Sequence, residues 1–173
     1  MSGDALQQLL DRQAIAHCVH RYARGIDRGD AELVASCYHA DAIDDHGGFV
    51  GLGRDLAGWV FGNLARVVTT QNHITTHNVE LDGDTAHGET YYLVIRRDLS
   101  GAVISVSGRY VDRFERRGGE WRIAARLTIV DSITEPPAVD MSGRADAPSR
   151  RDTTDPSYQR PLVLRTTVQQ PHP

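Results

Sequence analysis

The chain has 173 residues, a formal net charge of −4 and no apolar run near the ~20 residues that a membrane span requires. Its slight negative charge, with no basic stripe among aromatic residues, argues against a nucleic-acid partner. All 19 basic residues are arginines, which excludes lysine Schiff bases, pyridoxal phosphate anchoring and a P-loop. The N-terminus is polar and then amphipathic, and the two cysteines lack metal-site spacing. We expect a cytoplasmic protein without a signal peptide, in which Cys18 and Cys37 stay reduced.

The first part of the chain predicts helices. In residues 4–28, apolar side chains recur at three- and four-residue steps, which is typical of an amphipathic helix. Asp30 is placed to cap a short second helix, and residues 54–68 predict a third. Between these two helices, residues 41–51 predict a short hairpin with paired glycines at its turn.

The second part predicts strands. Four segments rich in β-branched and aromatic residues are separated by glycine-containing turns, namely residues 74–82, 85–97, 102–116 and 120–131. Helices followed by such a meander indicate an α+β fold. We expect residues 1–135 to form a cone-shaped α+β barrel, in which three helices pack on a curved antiparallel or mixed sheet and enclose a pocket.

A change of composition follows Glu135. Residues 136–173 are polar, punctuated by prolines and without clear periodicity, so we expect a tail that is extended or disordered. Tyr158 and the run Leu162-Val163-Leu164 are candidates to dock on the domain or on a neighbouring subunit.

Two residues are candidates for acid–base chemistry. Asp27 lies on a helix face beside the apolar stripe, where loss of solvation raises the pKa of a carboxyl group unless a donor compensates. The alternative for Asp27 is a helix-end residue bonded to nearby backbone. His73 is expected where the third helix has ended and the first long strand begins, at the rim of the cavity. Histidine suits proton transfer near neutral pH, although a lone histidine is more often structural.

The segment from Asp44 to His46 carries titratable groups on a short strand. Alternation puts Asp44 and His46 on one face and Asp45 on the other, so the inward face offers a second acid or base. A polar edge hairpin is the alternative. We expect no metal site, because His73 and His77 on one strand would lie ~13 Å apart. His46 with His73 is the pair left for a metal.

Four stretches of the chain resemble the nuclear transport factor 2-like superfamily, in its polyketide-cyclase-like (SnoaL-like) branch. They are Tyr22-Ala-Arg-Gly-Ile-Asp27-Arg-Gly-Asp30, Tyr38-His-Ala-Asp41-Ala, Asn72-His73 with the hairpin Leu81-Asp-Gly-Asp-Thr-Ala86, and Trp121-Arg-Ile. The resemblance covers about residues 5–135. Scytalone dehydratase, bile-acid dehydratase and hexachlorocyclohexane dehydrochlorinase belong to this branch. The resemblance implies a catalytic domain in which His73 is the general base and Asp27 orients it.

The resemblance also implies roles for Tyr22 and Arg126. Tyr22 lies where the bile-acid dehydratase has a tyrosine and the dehydrochlorinase a lysine, and its phenol is expected to donate to a carbonyl or leaving oxygen. Arg126 lies where relatives place an arginine that stabilises an anion or leaving group. A tyrosine packed in the core is the alternative for Tyr22. The missing lysine argues against halide elimination.

The leading hypothesis is a cofactor-independent lyase, such as a dehydratase, that acts on a hydrophobic, ring-containing small molecule. Asp45, His46, Trp59 and Tyr91 are the residues expected to bind this substrate. An isomerase or polyketide-type cyclase with the same base is the first alternative, and a non-catalytic ligand-binding or dimerisation module is the second. We expect a homo-oligomer, either a dimer or a trimer.

Overall fold

Helices precede the long strands in the computed structural model, which describes residues 3–136, 150, 152–155 and 158. The elements in chain order are α1 (Gly3–Arg28), α2 (Ala31–Ala35), β1 (Tyr38–Asp45), β2 (Val50–Leu52), a 3-10 turn (Gly53–Asp55), α3 (Leu56–Asn63), β3 (Val67–Asp82), β4 (Thr85–Asp98), β5 (Val103–Arg117) and β6 (Glu120–Thr134).

The strands form one curved, unclosed sheet in the order β2-β1-β6-β5-β4-β3. β1 runs parallel to β6, and the other neighbouring strands pair antiparallel. The helices pack on this sheet, with α1 against β3 and β6. The α+β fold that the sequence predicts is confirmed, and its sheet is mixed.

α1 forms because one face of the segment is apolar. Ile15, Val19, Tyr22 and Ile26 follow each other at steps of three or four residues, and all four are buried in the core. This face carries Tyr22 to the inside of the sheet. The short α2 that follows begins as predicted, because Asp30 accepts a hydrogen bond of 2.9 Å from the backbone nitrogen of Leu33.

The third helix is shorter than the sequence predicts. α3 ends at Asn63 rather than at residue 68, and β3 begins at Val67 rather than at residue 74. The residues from Val67 to Thr70 are all β-branched, which favours an extended backbone over a helix. His73 therefore lies well inside β3 and not at the junction of a helix and a strand.

The predicted hairpin is present, although its first strand is longer than expected. β1 and β2 are antiparallel, and Asp45 pairs with Val50 across the turn. Gly47 has a φ of 72°, a left-handed conformation that glycine adopts without strain. The turn is closed by a hydrogen bond of 2.7 Å from the backbone nitrogen of His46 to the carbonyl of Phe49. His46 is thereby fixed at the end of β1.

Most of the expected tail, including Leu162-Val163-Leu164, lies outside the described residues. Of the described part, Asp155 forms an ion pair of 2.7 Å with Arg28, and the Tyr158 ring lies 4.9 Å from the Arg24 guanidinium. Both arginines belong to the last turns of α1. None of the helices in the described ranges has the length and apolarity that crossing a membrane demands.

Candidate active site

A chamber of about 280 Å³ opens on the concave side of the sheet. Its walls are mostly apolar and aromatic, and polar groups lie at separate points of the lining. The aromatic and polar side chains of the lining include Tyr22, His46, Trp59, Asn72, Tyr92, Arg96, Tyr110 and Thr128. Such a chamber, apolar with a few convergent polar groups, is typical of a site for a small organic ligand.

Asp44 and His46 form a hydrogen-bonded pair at the wall of this chamber. Nδ1 of His46 lies 2.9 Å from Oδ1 of Asp44, whose side chain is 0% exposed. Because an ionised carboxylate only accepts hydrogen bonds, Nδ1 carries the proton and Nε2 of the neutral ring keeps its lone pair. Among the described residues, none forms a hydrogen bond with Nε2. The pair thus places the imidazole of His46 in the lining of the chamber.

Two further side chains hold this pair in place. The hydroxyl of Tyr38 donates to Oδ2 of Asp44 at 2.6 Å, and Oγ1 of Thr128 lies 2.9 Å from Nδ1 of His46. The Tyr38 ring has room because residue 53 is glycine, and a Cβ there would collide with the ring. Both oxygens of the buried Asp44 are therefore occupied, which fixes the orientation of the imidazole.

Arg126 lies beneath the chamber and does not line it. Its side chain forms a bidentate pair with Asp112, with both nitrogen–oxygen distances at 2.7 Å, and it is 3% exposed. The guanidinium carbon lies 4.3 Å from the centre of the Tyr22 ring and 4.0 Å from that of Tyr110. The described neighbours of the Arg126 guanidinium are thus a carboxylate and aromatic rings, contacts that stabilise a buried positive charge.

The buried charges follow the register of the sheet. Asp44 on β1 pairs with Arg126 on β6, and Arg126 pairs with Asp112 on β5. Their side chains thus form one row across three strands below the aromatic lining. Nη1 of Arg126 is buried without a hydrogen-bond partner among the described residues.

Tyr22 brings its phenol to the chamber as the sequence analysis expects. Burial raises the pKa of Tyr22 well above its usual value, and the positive charge of Arg126 opposes the rise only in part. The phenol is therefore a hydrogen-bond donor at neutral pH. Its ring packs edge-on against Tyr38 and Tyr110, which restrains its position.

Asp27 bonds to Asn72 and not to His73. Both oxygens of Asp27 accept from the backbone nitrogen of Asn72 at 3.1 Å, and Oδ1 also accepts from Nδ2 of the same residue at 2.5 Å. Burial raises the pKa of Asp27, while the hydrogen bonds from Asn72 work against the rise. Asp27 therefore anchors β3 to the end of α1 and orients the Asn72 amide, which lines the chamber.

His73 lies outside the chamber. It is exposed and borders a second, open cleft between α1 and β3, which Asp27 also lines. The expected hydrogen bond between the two is not formed. The physical reason is the early start of β3: alternation along the strand turns Asn72 to the chamber and His73 to the opposite face.

The residues expected to bind substrate are divided by the structure. His46 and Trp59 line the chamber, and their ring centres are 6.1 Å apart. Tyr91 is 39% exposed on the other face of β4, because its neighbour Tyr92 takes the inward position. Asp45 also faces away from the chamber lining, and its Oδ1 accepts from the backbone nitrogen of Gly47 at 3.0 Å.

No group of three or more histidine, cysteine, aspartate or glutamate side chains in the described ranges is arranged to hold a metal ion. The pair considered from the sequence is also divided, because His46 lines the chamber and His73 borders the outer cleft.

Sequence reasoning gave Asn72, Tyr38 and Arg96 no role in the site. The β-branched residues from Val67 to Thr70 are a signal that a strand begins there. Alternation from Val67 places Asn72 inward and His73 outward. The contact of Tyr38 with Asp44 links residues on the same strand, and it depends on the rotamer and on the space above Gly53.

The fold and the site together define a small α+β cone with an apolar ligand chamber and internal acid–base groups. The chain belongs to the SnoaL-like domain family, whose profile matches residues 7–127. No curated protein sequence matches the chain significantly.

Solved structures resemble the chain over most of its length. A variant of Rv3472, a protein of unknown function from Mycobacterium tuberculosis, is 31% identical, with 75% of this chain and 76% of that chain covered and a TM-score of 0.66. Hexachlorocyclohexane dehydrochlorinase LinA-type3 from Novosphingobium barchaimii LL02 is 21% identical, with coverage of 83% and 99% and a TM-score of 0.69. A protein from Novosphingobium aromaticivorans named after scytalone dehydratase is also 21% identical, with coverage of 80% and 97% and a TM-score of 0.68. The last two similarities establish the fold.

Proposed function

We propose that this protein is a cofactor-independent lyase that eliminates water, or a similar small fragment, from a hydrophobic, ring-containing molecule held in the chamber. The observation that carries the proposal is the Asp44–His46 pair: a buried carboxylate lies on one ring nitrogen of His46, the ring lines an apolar chamber, and no described residue forms a hydrogen bond with the other nitrogen. A carboxylate and a histidine in this order form a general base. The names of two structural relatives, a dehydrochlorinase and one after scytalone dehydratase, agree with an elimination.

The proposed reaction begins with proton removal from a carbon next to a carbonyl group. Nε2 of His46 takes the proton, and Asp44 stabilises the imidazolium that results. The electron pair of the broken C–H bond forms the new C=C bond, and the C–O bond at the β-carbon breaks. The imidazolium of His46 returns the proton to the departing hydroxide, which leaves as water, and His46 is neutral again.

Tyr22 and Asn72 are the groups proposed to stabilise charge on the substrate oxygen. Both line the chamber, and the raised pKa of Tyr22 keeps its phenol protonated as a donor. The Asn72 amide is held from behind by Asp27 at 2.5 Å. Donors that are fixed before the substrate binds stabilise a developing oxyanion without reorganising.

Proton transfer in D₂O with a panel of cyclic β-hydroxyketones tests the proposal. The full-length protein should exchange the α-proton for deuterium, seen by NMR, and release an enone that is seen by its absorbance. His46→Asn should lower both rates by ~10²–10⁴, the range for loss of a general base. His73→Asn, on the other face of β3, is the matched control and should keep nearly full activity.

Three other outcomes would change the proposal. If His73→Asn abolishes exchange while His46→Asn does not, the base is His73 in the outer cleft, with Asp27 beside it. If exchange occurs and the product keeps the mass of the substrate, the protein is an isomerase or cyclase with the same base. Saturable ligand binding without any exchange would favour a non-catalytic binding module.

We also propose a second copy of this chain as its protein partner. Ile43 on β1 and Leu127 on β6 are exposed on the outer face of the sheet, where Ile43 is opposite Ala125 and Leu127 is opposite Asp45. An apolar patch of this kind is a common site of self-association. Sedimentation of wild type beside Leu127→Glu tests the proposed dimer or trimer, and an unchanged monomer in both would contradict it. We also propose, as the sequence leads us to expect, that the protein is cytoplasmic.

A further inference from the structure

Arg96 is the one side chain of fixed charge that lines the chamber among the described residues. It lies on β4 at the same face as Tyr92 and Val94, which alternate with outward residues such as Tyr91. The side chain is half-buried. No described residue forms a hydrogen bond or an ion pair with its guanidinium. Arg126 is paired with Asp112, whereas the charge of Arg96 is not paired with a carboxylate of the described residues.

Arg96 and His46 lie at different ends of the chamber. His46 is next to Thr128 and Tyr110, which pair with each other across β6 and β5, and Tyr110 stacks on Tyr92 at 4.6 Å. Arg96 is four residues beyond Tyr92 along β4, about 13 Å at the rise of a strand. Exposed Val130 and Ile133 show that the chamber opens towards this end.

The part of the chamber between Arg96 and His46 is suited to a ring. Its volume of about 280 Å³ is at the lower limit for small-molecule pockets, and apolar side chains line its middle, among them Val94 and Val106. A guanidinium that is partly removed from water and has no partner among the described residues favours a planar anion, because it binds a carboxylate through two parallel hydrogen bonds.

We propose that the substrate is a ring acid, with its carboxylate bound by Arg96 at the mouth and its reactive carbon at His46. This proposal deepens the proposed function and rests on it for the identity of the reactive end. Arg96 is then a specificity residue: it selects an anionic ligand and sets the direction in which the ring enters.

Equilibrium binding separates this proposal from the proposed chemistry. The probes are 2-naphthoate and its uncharged amide, 2-naphthamide, which have nearly the same shape, and binding is followed by titration calorimetry. Full-length wild type should bind the acid at least ~10-fold more tightly than the amide. Arg96→Gln should reduce this preference to about twofold or less. Arg97→Gln removes the same charge from the next residue, on the other face of β4, and should keep the preference.

The proposal is overturned if wild type binds the amide as tightly as the acid, or if Arg97→Gln loses the preference as fully as Arg96→Gln. Absence of saturable binding for both probes would also overturn it. His46→Asn should keep the preference for the acid, because it removes the base and leaves the anion site. A His46→Asn variant that loses turnover and keeps this preference shows that the anion site and the base are separate. A wild type that prefers the acid but catalyses no exchange supports the anion site and contradicts the proposed chemistry.

Discussion

Nδ1 of His46 lies 2.9 Å from a carboxylate oxygen of Asp44 that has no access to solvent. A buried aspartate of this kind fixes the orientation of the ring and sets its tautomer. The relationship is local, since Asp44 lies on β1 and His46 directly follows that strand, but its surroundings come from β6 and from the turn at Gly53.

The pair should behave as a unit in catalysis. Asp44→Asn keeps the shape and removes the charge that holds the tautomer, so it should lower kcat strongly, although less than His46→Asn. The double variant should be little slower than His46→Asn alone, because residues that act together are not additive. Rates of enone formation measure this. If the fold-loss in kcat of the double variant equals the product of the fold-losses of the two single variants, Asp44 acts independently of His46.

Arg126 should matter for stability. Arg126→Leu leaves Asp112 buried without its partner, which costs ~3–5 kcal/mol in comparable pairs. The double variant Asp112→Leu with Arg126→Leu should recover much of that loss, because no unpaired carboxylate remains from the pair. Urea unfolding gives the free energies. If Arg126→Leu unfolds like wild type and yet loses turnover, the catalytic role implied by the family resemblance is correct instead.

The buried tyrosines should resist ionisation. Burial raises the pKa values of Tyr22, Tyr38, Tyr92 and Tyr110. A phenol with a raised pKa stabilises the fold below its ordinary pKa of about 10, and this stability is lost as the pH rises towards the raised value. Alkaline absorbance titration should therefore show that these phenols ionise only above the ordinary tyrosine pKa of about 10, together with loss of circular dichroism. Reversible ionisation of every tyrosine near pH 10, with the fold intact, would contradict this.

Asp11 should contribute stability that disappears in acid. Partial desolvation acts to raise its pKa, but hydrogen bonds from Trp121 and Gln7 and the charge of Arg116 hold the pKa below its ordinary value. Stability from a lowered carboxyl pKa is present above about pH 4 and is lost as the pH falls through the lowered value. Asp11→Asn should thus lower Tm at pH 7, and its Tm should converge with that of wild type as the pH falls below the lowered pKa.

The control for this experiment is Asp4→Asn, at an exposed position in the first turn of the same helix. It should leave Tm nearly unchanged at every pH. A constant difference between Asp11→Asn and wild type, from neutral to acid, would mean that the variant perturbs packing and not the charge of the carboxylate.

The sequence predicts the helix-then-strand plan because the apolar period changes along the chain. It also predicts that Asp44 and His46 share a face, since alternation on one strand decides that. The division between His73 and Asn72 depends on where β3 begins, and a boundary error of seven residues moved His73 from the middle of a strand to its start. The environment of Arg126 depends on pairing between β5 and β6, which periodicity within one strand does not reveal.

The row of Asp44, Arg126 and Asp112 contains two carboxylates and one guanidinium. With a neutral His46 the four groups sum to one negative charge, and with an imidazolium they sum to zero. The floor of the chamber is therefore electroneutral only after His46 has received a proton. Before that proton transfer, the net negative charge of the four groups repels an anionic substituent of a substrate, so a ring acid would enter with its charged end towards Arg96 and the open end of the cone.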